Sequence, residues 1–187
     1  MRTQNAVLLS ELKKRRTNKR NIIDVLTYEP ETGFFRWRAN AGRHGRIPAG
    51  TIAGTIDNTT GYIRIQIDGR RYYAHRLALF FVYGKWPTYY TDHIDGNRVN
   101  NSITNLREAT PSQNRHNSNK SSNKKASRFK GVCWHRNLNK WGAQIQDSGD
   151  HFHLGLFKSE VEAAMAYNLE AARRFGSFCK LNDVRGY

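Results

Sequence analysis

Near the middle of the chain, an imidazole, a carboxylate and a series of carboxamides fall within one short stretch. Asp92-His93-Ile94-Asp95-Gly96-Asn97 comes first, Asn105-Leu106-Arg107 follows, and Gln113-Asn114-Arg115-His116-Asn117 closes it. An imidazole can take a proton from water near neutral pH. A carboxylate beside it can hold a hard divalent cation, and such a cation can polarise a phosphodiester and steady the departing oxygen. With a carboxamide following on a short helix, this is an inventory for metal-assisted phosphodiester hydrolysis. Duller readings exist for each part. An Asp-His pair at a strand end can be structural, and Asp95 and Asn97 suit the turn around Gly96. Neither Cys133 nor Cys179 has a His and Asp arrangement nearby that suggests a nucleophilic triad.

The elements needed to hold these groups are legible. Tyr89 to His93 reads as a strand, Ile94 to Thr104 as a Gly- and Asn-rich loop, and Asn105 to Glu108 as the returning strand. Thr110 is a natural N-cap, and Pro111 suits the first helical position, where its missing N–H costs nothing. A hairpin followed by a helix is the resulting unit. Upstream, Tyr62 to His75 alternates as a hairpin, and Asp68-Gly69 supplies the two positive-φ residues of a type I′ turn. That turn places Ile65 opposite Tyr72, Ile63 opposite Ala74, Arg64 opposite Tyr73 and Tyr62 opposite His75. A helix over Arg76 to Tyr83 should stop at Gly84. Nearer the start, Asn21 to Leu26 suggests a short helix, Glu29 to Gly33 a turn, Phe34 to Trp37 a strand and Asn40 to Ala49 a loop.

The charge balance points to a polyanion. Thirty-one Lys and Arg against fifteen Asp and Glu give a formal charge of +16, and neutralised phosphates release condensed counterions. Double-stranded DNA is the expected partner. A membrane is not, because there is no long apolar run and no hydrophobic region after Met1. A soluble, intracellular protein is expected. Two cysteines far apart, with no Cys-x-x-Cys pair, offer neither a zinc knuckle nor a disulfide framework. The division expected is a basic arm with a short helix over 1–26, a first domain over 27–117, a basic linker over 118–127 and a second domain over 128–183.

That second domain reads as three strands, Phe129 to His135, Lys140 to Gln146 and His151 to Phe157, and one helix. The helix begins at a capping box of Ser159 and Glu162 and ends at Gly176. Ala163, Ala164, Ala166, Ala171 and Ala172 give it a small-residue surface for a thin sheet. Alternation puts Trp141, Ala143, Ile145, Phe152 and Leu154 on one face, and Gln144, Gln146, His151 and His153 on the other. Lys130, His135 and Arg136 join the polar face, while Trp134 could be a contact or a core residue, with core favoured. The paired His151 and His153 could chelate a metal, but DNA contact is the favoured reading.

The block Asp92-His93-Ile94-Asp95-Gly96-Asn97, with Asn105-Leu106-Arg107 and Asn114, resembles the HNH motif of ββα-metal nucleases, in particular phage homing endonucleases. The resemblance runs from about Thr27 to Asn117 and includes Gly61-Tyr62 and Ala74-His75-Arg76-Leu77. It implies that His93 is the general base, Asp92 and Asn114 are metal ligands, and Asn105 holds the loop. It also implies Mg²⁺ or Mn²⁺ rather than structural zinc, products with 5′-phosphate and 3′-hydroxyl ends, and a site of action in the cytoplasm of a phage-infected or bacterial cell. His75 and His116 are left open between structural and phosphate-contacting roles.

Ser127 to Asn182 resembles the plant ethylene-response-factor (Apetala-two) DNA-binding domain through Phe129-Lys130-Gly131-Val132, Lys140-Trp141-Gly142-Ala143-Gln144-Ile145, His153-Leu154-Gly155-Leu156-Phe157 and Leu181-Asn182. This implies a three-stranded antiparallel sheet laid in the major groove with its helix behind. The chain departs from the plant pattern by having Gln and His where arginines stand, so the plant target sequence does not transfer. The fold class expected is therefore α+β: a ββα-metal module preceded by a β-hairpin region and joined by a basic linker to a sheet-plus-helix module. Arg115, Lys120, Lys124, Lys125, Arg128 and Lys130 suggest a linker that follows the phosphate backbone. The expected activity is a metal-dependent DNA endonuclease whose site is selected by the second module. The alternatives are a non-catalytic DNA-binding regulator on a retained HNH scaffold and an RNA-binding basic protein. Oligomeric state is left open.

Overall fold

The computed structural model describes residues 21–118 and 127–185. The basic arm over 1–20 and the linker residues Lys120, Lys124 and Lys125 lie outside the described residues. Among those described, the fold is mixed, with several small sheets and four helices, and no helix is long and apolar enough to cross a membrane. The chain forms two compact units. One holds the described residues through Pro87 together with Arg98–Leu106, and the other holds Thr88–Asn97 and the residues from Arg107 onward.

In the first unit, the short helix α1 (Ile22–Val25) starts where the Asn21 side chain accepts from the Ile23 N–H. Strands β1 (Leu26–Tyr28) and β2 (Phe35–Trp37) pair antiparallel, Leu26 opposite Trp37. Next come β3 (Thr55–Ile56), β4 (Ile63–Ile67) and β5 (Arg70–Tyr73), ordered β3-β4-β5. Asp68 and Gly69 take positive φ, 46° and 79°, and the expected pairs Ile65–Tyr72 and Arg64–Tyr73 form. The ladder ends there, because helix α2 spans Ala74–Tyr83, two residues earlier than the sequence suggests. Ala74 and His75 are thus buried helical residues rather than strand partners of Ile63 and Tyr62. The His75 ring still lies between Tyr62 and Tyr73, tilted against the first and stacked on the second, with centroids 4.8 and 5.3 Å away. Gly84, with φ 70°, ends α2 as expected. Leu26, Phe35, Ile65, Leu77 and Ala78 form the centre of this unit's core.

The second unit begins with β6 (Tyr90–His93), which pairs with β7 (Leu106–Ala109). Helix α3 (Pro111–Asn117) comes next, with Thr110 as N-cap and Pro111 at its start. Gln113 completes a capping box by accepting from the Thr110 N–H at 2.8 Å. Strands β8 (Val132–His135), β9 (Lys140–Asp147) and β10 (Asp150–Phe157) form an antiparallel sheet with β9 in the centre. Helix α4 (Glu160–Phe175) starts at the Ser159–Glu162 capping box and buries Ala163, Ala164, Tyr167 and Ala171 against that sheet. Ala172, expected on the same surface, is exposed.

Strand β8 is shorter than the expected Phe129 to His135 because Gly131 takes φ 75°. A Cβ there would stand 2.1 Å from the Tyr167 ring and 2.6 Å from the Gln144 carbonyl. The close approach of helix to sheet therefore depends on a residue without a side chain. The two units also divide the chain differently from the expected border at 118–127. Thr88–Asn97 and α3 belong to the same unit as the C-terminal sheet, and Arg107 ties them together by bonding both Asp92 and the Ser177 carbonyl.

Candidate functional site

Asp92 and His93 end β6 with both side chains buried, 5% and 4% exposed. The Asp92 carboxylate is held from two directions. Arg107 Nε donates to Oδ2 at 2.9 Å, and its Nη2 lies 2.8 Å from the same oxygen. Asn117 Nδ2 donates to both Oδ1 and Oδ2 at 3.0 Å and to the His93 carbonyl at 2.8 Å. Helical spacing explains the second approach. Thr110 and Pro111 fix where α3 starts, and α3 packs on β6. Asn114, half-buried, stands one helical turn before Asn117.

Among the described residues, no three His, Cys, Asp or Glu side chains converge on one point. A cation at Asp92 would have to complete its shell with carboxamide, carbonyl and water oxygens. The Asp92 carboxylate and the His93 carbonyl are hard oxygen donors of the kind that suit a divalent cation.

The loop after β6 keeps its turn chemistry. The Gly96 N–H donates to the His93 carbonyl at 2.9 Å, and the Asn97 N–H donates to Asp95 Oδ1 at 2.7 Å. Asp95 and Asn97 therefore make the turn, as their residue types suggest. Asn105 belongs to the first unit, where it is buried and its Nδ2 donates to the Asn100 carbonyl at 2.9 Å, tying the Asn-rich segment to itself.

A second polar surface lies on the sheet of the same unit as Asp92. Gln146 pairs with His151 and Gln144 with His153 across β9 and β10, and all four side chains are exposed. Beside them, the His135 ring folds over Gly142, where a Cβ would lie 2.4 Å from Nε2, and it contacts Cys133 Sγ at 3.4 Å. Arg136 is exposed in the turn after β8. A cleft of about 230 Å³ brings Arg115 of α3 together with Gln144, Gln146 and His151 of the sheet. These residues are separated in sequence by up to 36 positions, yet they line one concave surface. Trp134, for which the core is favoured, packs against Trp141 with ring centroids 5.0 Å apart and planes tilted by 59°, yet stays 38% exposed.

Lys130, expected on DNA, and His116, left open, both have partners within the protein. The sequence suggests Lys130 on DNA, but its Nζ donates to the carbonyls of His116 at 2.7 Å and Ser118 at 2.9 Å, capping the end of α3. Burial lowers its pKa, and the negative end of the helix dipole favours its charge there. His116 is likewise turned inward. Its ring stacks on Phe175 at 3.6 Å, its Nε2 shares a hydrogen bond with Ser112 Oγ at 3.0 Å, and burial lowers its pKa. Its carbonyl also accepts from the Lys180 N–H at 3.2 Å. Lys124 and Lys125 fall outside the described residues.

Sequence reasoning misses two residues at the Asp92 carboxylate, Arg107 and Asn117. Asn117 carries a usable signal, because helical spacing from Asn114 after a fixed start puts it on the same face. Arg107 stands in the quoted Asn105-Leu106-Arg107 motif, but its neighbours in sequence do not point to the Asp92 carboxylate. Its remaining partners are the Ser177 carbonyl, 2.9 Å from Nη1, and the Phe178 ring, 3.8 Å from the guanidinium carbon, both some seventy residues away.

Comparison with known proteins places part of the chain beside nucleases. Residues 72–116 match the HNH endonuclease family model. It is 38% identical over 112 residues to a protein of Acanthamoeba polyphaga mimivirus named as an uncharacterized HNH endonuclease, covering 59% of this chain and 57% of that one. It is also 38% identical over 61 residues to protein 3.8 of Escherichia phage T7, covering 33% and 50% of the two chains. A third relative, from the SPbeta prophage of Bacillus subtilis (strain 168), bears a name that assigns it to the HNH homing endonucleases. It is 38% identical over 55 residues, 29% of this chain and 32% of that one. The chain thus spans about half the length of the first two relatives.

Proposed function

We propose that this chain is a metal-dependent DNA endonuclease of the homing type, in which the β6–β7–α3 hairpin and helix cut and the β8–β10 sheet selects the site. The observation that carries the reading is the buried pair Asp92–His93 inside the stretch that matches the HNH family, with the Asn117 amide of α3 bonded to the carboxylate. His93 takes the proton from the attacking water. Asp92 and Asn114 hold the cation, Mg²⁺ or Mn²⁺, while Asn105 braces the loop between the two strands. A divalent cation bound there would polarise the scissile phosphate and stabilise charge on the departing 3′ oxygen.

The sheet module is read as similar to the Apetala-two type. Gln144, Gln146, His151 and His153 present amide and imidazole groups suited to base edges, and His135, Arg136 and Arg115 flank them. Lys124 and Lys125 would add phosphate contacts from the linker. Exposure of the four central side chains and their alignment across two paired strands support this reading.

Incubation of the purified protein with supercoiled plasmid, with and without Mg²⁺, tests the activity. Relaxed or linear product that requires Mg²⁺ and vanishes on chelation is expected. Intact plasmid under both conditions, with retarded mobility from binding, would replace the enzyme with a DNA-binding regulator.

A further inference from the structure

We propose that Arg107 is a positioning residue that carries the counter-charge of Asp92 in the metal-free protein and fixes that carboxylate to the segment after α4, leaving Oδ1 as the oxygen offered to a cation. The proposal rests on the reading of Asp92 as a metal ligand and concerns how that site is set. Three contacts converge on one guanidinium. Nε and Nη2 both approach Oδ2 of Asp92, at 2.9 and 2.8 Å. Nη1 donates to the Ser177 carbonyl at 2.9 Å, and the guanidinium lies over the Phe178 ring at 3.8 Å. The side chains of Arg107 and Asp92 are only 15% and 6% exposed.

The asymmetry at the carboxylate is the informative detail. Arg107 touches Oδ2 only, whereas Oδ1 accepts from the Asn117 amide alone among the described residues. An arginine fork that grips one oxygen limits rotation of the carboxyl group and sets the direction of the other. Its positive charge also makes a buried carboxylate tolerable without a metal, because removing one partner of a buried ion pair leaves an uncompensated charge. The same charge opposes a second cation at short range. Arg107 therefore orients the carboxylate while weakening its hold on metal, and Ser177 and Phe178 keep the guanidinium in place.

The test is Mn²⁺ binding by calorimetry, with thermal unfolding followed in the presence and absence of Mn²⁺. The full-length protein is compared with Arg107→Met, Arg107→Lys and Phe178→Leu. Arg107→Met should unfold at a lower temperature without Mn²⁺, recover much of the loss when Mn²⁺ is added, and bind Mn²⁺ about tenfold more tightly, because a unit charge a few Å away has gone. Cleavage at saturating Mn²⁺ should nevertheless fall, separating affinity from turnover. Arg107→Lys retains the charge and should keep the original affinity. Phe178→Leu leaves the Asp92 contacts in place and should shift Mn²⁺ affinity in the same direction as Arg107→Met, to a smaller extent.

An Arg107→Met protein that is destabilised equally with and without Mn²⁺, and whose Mn²⁺ affinity is unchanged, would make Arg107 a simple brace and overturn the proposal while leaving the metal site intact. Failure of the unaltered protein to bind Mn²⁺ at all would remove both the metal site and the proposal. If Arg107→Met fails to fold, the Phe178→Leu and Arg107→Lys affinities decide the matter.

Discussion

The carboxamide of Asn117 bridges Asp92 and His93, donating to both Asp92 carboxylate oxygens at 3.0 Å and to the His93 carbonyl at 2.8 Å. This bond pattern separates two asparagines that lie one helical turn apart. Asn117 satisfies the buried carboxylate, whereas the proposed function gives the cation to Asn114. Asn117→Ala should therefore cost roughly 1–3 kcal/mol of stability, the penalty for stranding a buried acceptor. Asn114→Ala should change stability by less than about 0.5 kcal/mol yet weaken Mn²⁺-dependent cleavage. Urea unfolding and cleavage rates measured side by side check the pair, and the reverse ranking of the two variants would exchange their roles.

His93→Ala should lower the cleavage rate by about 10²–10⁴-fold, the range expected for loss of a general base. DNA affinity and Mn²⁺ affinity should stay close to those of the unaltered protein. Binding titrations alongside single-turnover cleavage measure all three, and robust metal-dependent cutting by His93→Ala would assign the base elsewhere.

His116 predicts a pH effect on stability. Burial lowers its pKa, helped by Lys130 and Arg115 and opposed by Asp147. The unfolded state therefore takes up a proton before the folded one. Stability from the neutral ring is fully present above the ordinary histidine pKa of about 6.5 and is lost as pH falls through the lowered folded value. His116→Phe keeps the stack on Phe175 and should flatten this loss. Melting temperatures between about pH 7.5 and 5 provide the comparison, and identical slopes for the two proteins would refute the assignment.

Lys130 should behave as a helix cap and not as a phosphate contact. Lys130→Met should lower stability by roughly 1–2 kcal/mol and leave the salt dependence of DNA binding unchanged. Gln144→Ala or His151→Ala should do the opposite, weakening preference for the cognate sequence while stability holds. Fluorescence anisotropy over a range of salt concentrations distinguishes these outcomes, and a shallower salt slope for Lys130→Met would return it to the DNA surface.

The features legible in the sequence are mostly local. The Asp68-Gly69 turn sets a register, Thr110-Pro111 and Ser159–Glu162 set helix starts, and alternation decides which face of β9 and β10 is polar. Each depends on residues within a few positions of one another. Lys130 escapes such reasoning because a cation in a basic stretch looks the same whether its ammonium meets a phosphate or a helix carbonyl. Arg107 escapes it for the corresponding reason, since its partners are close in space and distant in the chain. The start of α2 at Ala74 is hidden because His75 alternates like a strand residue until burial between two tyrosine rings decides otherwise.

The attachment of α3 to the C-terminal segment limits how this protein can be recombined. Phe175, Ser177, Phe178 and Lys180, together with Lys130, meet Arg107 and His116 directly. Transplanting the region ahead of the linker onto a foreign targeting module would leave the helix end bare and Arg107 without its anchor. A fusion made with the seam at Ser118 should thus yield an unstable hybrid, whereas one that exchanges only the exposed residues of β9 and β10 should keep the junction whole.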